Sequence, residues 1–116
     1  MNKSEALSKI KAALKGNAQV IIPKGETYED FVERLSKELL ASVITPVEAT
    51  VVSTCADNGD FEKYRKSKVW AIANDGGNWL LTLESENEFA LGFGEHPDKI
   101  MMHGFSSSDV LGEWCA

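Results

Sequence analysis

The apolar pattern changes period once, at Pro46, and this change limits the fold more than any other feature of the chain. Upstream, Leu7, Ile10, Ala13 and Leu14 recur at three- and four-residue spacing, and so do Phe31, Val32, Leu35, Leu39 and Leu40. That spacing lines one side of an α-helix. Downstream, short runs rich in β-branched and aromatic residues are separated by clusters of Gly, Asn and Asp, which read as strands and turns. Helices followed by a meander of strands argue for an α+β fold, with an antiparallel sheet covered on one face by helices.

The boundaries follow from caps and breakers. A first helix is expected from Ser4 to Lys15, stopped by Gly16-Asn17. Gln19-Val20-Ile21-Ile22 is either a strand or an extended connector, closed by Pro23. The second helix starts at Thr27, whose partner three residues on is Asp30, and ends near Ser42. Val47 to Cys55 is expected as one strand, with Val47, Ala49, Val51, Ser53 and Cys55 on one face. Phe61 to Lys66 reads as a polar linker. Lys68 to Ala73 is apolar on both faces and suits a central strand. Strands are also expected at Trp79–Leu83 and Phe89–Phe93, with a short one at Ile100–His103. Ser106 to Asp109 offers caps for a last helical turn through Trp114. The expected architecture is a single α+β domain over 1–116: two N-terminal helices on a mainly antiparallel sheet of about four to five strands, then a short C-terminal helix.

Several function classes are excluded or disfavoured. The 116 residues fit one domain, and two cysteines are too few for a disulfide scaffold. No apolar run has the length of a signal peptide core or a membrane span, so a cytoplasmic protein without a membrane partner is expected, with Cys55 and Cys115 as free thiols. The formal net charge of −6 argues against nucleic-acid binding, which needs clustered cations. No cofactor or metal motif is present. His96 lies in Glu95-His96-Pro97-Asp98, a surface turn. His103 has no partner at zinc-like spacing. Asp75-Gly76-Gly77 lacks the Lys and Ser/Thr of a phosphate loop. The three serines 106–108 lack a nucleophile-elbow pattern.

Charge is distributed unevenly. Residues 1–25 hold five lysines and one glutamate, a net of +4; residues 75–116 hold eight acids and only Lys99, a net of −7. Glu84, Glu86 and Glu88 would share one face if extended. A concentrated acidic surface steers and orients a basic partner.

The second half of the chain resembles the SUKH superfamily of bacterial toxin-immunity proteins. The residues that carry the likeness are Ala71-Ile72-Ala73-Asn74-Asp75-Gly76-Gly77-Asn78-Trp79-Leu80-Leu81, then Phe89-Ala90-Leu91, then Phe105-Ser106-Ser107-Ser108-Asp109-Val110-Leu111, with Ile22-Pro23 before the second helix. Ala41-Ser42-Val43-Ile44-Thr45-Pro46 departs from the family, which commonly has Asn-Gly-Gly there. The resemblance implies binding and blocking a cognate toxin.

Together these features favour a small acidic binding module that occludes a basic protein such as a nuclease, more readily than an enzyme. The expected contact residues are Asp75, Glu84, Glu86, Glu88, Glu95 and Asp98, with Trp79 as an anchor if it is exposed. Two alternatives stand beside it. One is a small-molecule-binding or enzymatic domain with a pocket between the second helix and the sheet, using His96, His103 or Cys55. The other is a homodimer built on an exposed strand edge.

Overall fold

The computed structural model describes residues 1–116. It contains α1 (Lys3–Ala13), α2 (Tyr28–Ala41), β1 (Val43–Ala49), β2 (Val51–Thr54), α3 (Asp60–Lys66), β3 (Val69–Asp75), β4 (Asn78–Leu83), β5 (Phe89–Phe93), β6 (Ile100–Ser107) and α4 (Val110–Trp114). The architecture is α+β. The sheet has six strands rather than four or five, in the order β1-β3-β4-β5-β6-β2. All pairings are antiparallel except β2 with β6.

The added strand comes from the run expected as one strand over Val47–Cys55. The extended segment begins earlier, at Val43, and breaks at Thr50 into β1 and β2, which occupy opposite edges of the sheet. In a flat sheet those edges would lie about 24 Å apart at ordinary strand spacing. One intervening residue spans about 7 Å. The sheet therefore curls until its edges meet at Thr50, as a barrel does. Thr50 is held there by its own N–H donating to Pro97 O (2.8 Å) and its carbonyl accepting from Ile100 N (2.9 Å). The break also ends the expected common face: Val51 is buried while Val47 is exposed.

Both faces of the curled sheet are apolar. Inside the curl lie Val51, Val69, Ala71, Trp79, Leu81, Leu83, Ala90, Ile100 and Met102, closed by Tyr64 of α3. Outside it, Ile72, Leu80 and Phe89 pack beneath Ala6 and Ile10 of α1, Leu39 of α2, and Val110 and Leu111 of α4. Strands β3 and β4 are thus buried on both sides, which is why they read as continuous apolar runs. Of the two N-terminal helices, α1 lies against β1, whereas α2 packs chiefly on α4.

Local chemistry explains the other departures. Helix α1 starts earlier than expected because Asn2 and Glu5 form a reciprocal capping box. The expected linker at Phe61–Lys66 is helical. Gly59, at φ 96, turns the chain into α3, and acids then lead and bases end a helix pinned by Glu62 to Arg65 and Lys66. Gln19–Ile22 is an extended connector, tied at one end by Gln19 N–H to Asp109 Oδ2 (2.7 Å).

Candidate functional site

The site begins with an irregularity in β6. Ala90 of β5 pairs with Ser106 and Gly92 pairs with Met102, so Leu91 alone stands opposite His103, Gly104 and Phe105. This is a β-bulge, which redirects side chains away from the regular pleat. Gly104 makes it possible. Its φ is 121°, and a Cβ there would lie 2.5 Å from Ala56 O, so only glycine fits without strain. The bulge sets the His103 ring edge-on between two phenyl rings, 6.1 Å from Phe93 and 5.4 Å from Phe105 between centroids.

This aromatic row lies on the outer side of β5 and β6, beyond the part that the helices cover. Phe105 is 46 % exposed and Met101, in register with Phe93, is 40 % exposed. Val52 on neighbouring β2 is 54 % exposed. Isolated exposed apolar residues are ordinary, but a contiguous group on one sheet face marks an interaction surface.

Carboxylates border the row on two sides. The loop from Phe93 to Met101 carries Glu95 and Asp98, both exposed, and neither forms a salt bridge. On the other side, Glu113 of α4 accepts a hydrogen bond from Ser107 Oγ (2.7 Å). Burial pushes the Glu113 carboxyl up from its ordinary value; Asp109 and Asp60 add to this, while the Ser107 hydrogen bond and His103 oppose it. Asp60 in turn accepts from Ser106 N (3.1 Å). The Tyr64 hydroxyl is buried and makes no hydrogen bond of ordinary geometry; Glu88 is the carboxylate that acts on it most. Burial is the main cause that pushes its ionisation far above the usual tyrosine range, so it stays neutral.

The residues expected to meet a partner fall into two groups at opposite ends of the sheet. Asp75 ends β3 at the turn into β4, and Glu95 and Asp98 lie in the β5–β6 loop. These two loops are joined by Gly94 N–H donating to Gly77 O (3.0 Å). Glu84, Glu86 and Glu88 lie in the β4–β5 turn, not along a strand, and are matched internally. Lys63 pairs with Glu86 and Glu88, and Lys68 lies 3.5 Å from Glu84. The hydrogen bonds that Lys63 donates to those glutamates hold its ammonium above its ordinary range. Trp79 is a core residue, so the exposure its use as an anchor required is not met. It is only 8 % exposed, and its indole N–H donates to Gly94 O (2.8 Å).

Between the second helix and the sheet, where the alternative reading puts a pocket, Leu39 and its neighbours fill the space. His96 and Cys55 are exposed, and only His103 belongs to the aromatic row. The larger hollows lie elsewhere. One, of about 200 Å³, has Lys9, Asn87 and Ser108 on its walls. The other, of about 410 Å³, is an apolar groove beside Ile21, Phe31 and Cys115. Cys115 and Cys55 are free and exposed, and partial burial pushes the Cys115 thiol up from its ordinary value. No group of side chains has the arrangement of a metal site, and no helix is long and apolar enough to cross a membrane.

The bulge and its aromatic row were missed as a unit from the sequence. The available signal was Gly104 within the apolar alternation of Met102-His103-Gly104-Phe105, since an isolated glycine in a strand often marks a bulge. Comparison with known protein families, with curated proteins and with solved structures finds no match to this chain.

Proposed function

We propose that the chain is a binding module that holds a basic protein partner against the outer face of β5 and β6. The observation that carries this reading is the bulged row of Phe93, His103 and Phe105 between carboxylates that no lysine or arginine neutralises. Interfaces of this kind combine an apolar, aromatic centre with a polar rim. The rim here is Glu95, Asp98 and Glu113, extended by Asp75 at the adjoining turn. Glu84, Glu86 and Glu88 contribute less, because Lys63 and Lys68 already answer them. The resemblance to immunity proteins supports a finer reading of the same surface. The partner would be a toxin, for example a nuclease, whose phosphate-binding cations are covered in the complex.

Retention of proteins from the source cell's lysate tests the reading, using the wild-type chain, Phe105→Asp, and the double variant Glu95→Lys with Asp98→Lys. One basic protein held by the wild type and lost by both variants is the expected result. Equal retention by all three overturns the proposal. So does a wild-type mass in solution of twice the chain's own that falls to the monomer value in Phe105→Asp, because the face would then be occupied by a second copy.

A further inference from the structure

The partner chemistry that suits this face can be narrowed, resting on the reading of it as a docking surface for a basic protein. Glu113 is half-buried beside the carboxylates of Asp60 and Asp109. Its carboxylate receives one hydrogen bond, from Ser107, and no salt bridge. A carboxylate has about four acceptor positions, so most of its capacity is open. The buried Tyr64 hydroxyl lies chiefly against Glu88, which Lys63 already answers, so it adds no cation for Glu113. Glu113 itself has no lysine or arginine partner. The His103 ring acts on Glu113 through its charge and stands 5.4 Å from the exposed Phe105 ring, two residues before Ser107 on the same strand.

A flat cation with several donors answers both halves at once. A guanidinium stacks on an aromatic ring through its face and donates in its plane to a carboxylate. An ammonium is a compact, strongly hydrated charge and does this less well. We propose that the bulged face of β5 and β6 takes an arginine side chain of the partner, its guanidinium stacked on the Phe105 ring beside the edge-on His103, with N–H groups directed to Glu113. The bulge at Gly104 is what brings ring and carboxylate onto one surface.

The test is a nuclear magnetic resonance titration of the full chain with the blocked peptides acetyl-Gly-Arg-Gly-amide and acetyl-Gly-Lys-Gly-amide at low salt. The arginine peptide is expected to shift signals of His103, Phe105, Ser107 and Glu113. It should bind about fivefold more tightly than the lysine peptide. The near-isosteric Glu113→Gln should weaken it about tenfold. Phe105→Leu, which keeps apolar bulk but removes the ring, should weaken it about threefold. Equal affinity for the two peptides, shifts centred on Asp75, Glu95 and Asp98, or no change in Glu113→Gln overturns the proposal. The two readings fail separately. A basic partner retained equally by wild type and Glu113→Gln sinks the arginine site alone. Arginine-selective binding without any retained partner sinks the docking reading alone.

Discussion

Gly104 shows how much of the candidate site depends on one residue without a side chain. A methyl group there would meet Ala56 O at 2.5 Å and Ala56 Cβ at 2.8 Å, at a φ of 121° that other residues rarely adopt. Gly104→Ala should therefore lower the unfolding free energy by about 2 kcal/mol, read from chemical denaturation, and should shift the His103 ring signals. Glu113 behaves in the opposite sense. Its folded-state pKa is raised above the ordinary 4.5, so the folded chain holds the proton more tightly than the unfolded one. Stability from this group is greatest when it is protonated and falls as pH rises from the ordinary value through the raised one. Glu113→Gln should remove that slope and be at least as stable as wild type at pH 7, as measured by denaturation across pH. A carboxylate retained against the interest of stability is what a binding role would require.

At the scale of elements, the chain was legible where a single face or a single cap decides the outcome. Helix α2 lies where Thr27 and the Leu35, Leu39 spacing put it, and β3 to β5 lie where the Asn-Asp-Gly-Gly turn and the apolar runs put them. What was not legible depends on contacts between distant residues. The division of Val43–Thr54 at Thr50 is fixed by Pro97 and Ile100, almost fifty residues away along the chain. Helix α3 has little apolar content, and its terminal charges and ion pairs become decisive only with Tyr64 docked into the curl. Helix α1, at 11 residues, is too short to persist alone. It is held by Ala6 and Ile10 in the core and by Lys9 Nζ donating to Leu83 O (2.6 Å). Ile10→Ala should cost about 2–4 kcal/mol. In hydrogen exchange the amides of α1 should lose protection before those of β3 and β4.

For the whole molecule, the net charge of −6 conceals a basic first helix and an acidic remainder. Pairing sharpens that division. The β4–β5 turn is neutralised by Lys63 and Lys68, whereas Asp75, Glu95 and Asp98 are left without ion-pair partners at the other end of the sheet. Exposed charges act mainly on encounter, and buried aromatic contacts act mainly on residence time. The double variant Glu95→Lys with Asp98→Lys should thus slow association with a retained basic partner about tenfold at low salt. The difference should vanish near 0.5 M salt, where screening is short-ranged. Phe105→Ala should instead speed dissociation, and both are read by surface-binding kinetics. The joining of the two sheet edges at Thr50 also dictates an order of assembly. Strand β2 has one neighbour, β6, which is synthesised about fifty residues later. Until then the nascent chain carries Val51 and Val52 with nothing to pair them, and the curl cannot close. Productive folding must wait for nearly the whole chain, so contact order, rather than helix formation, should set its rate.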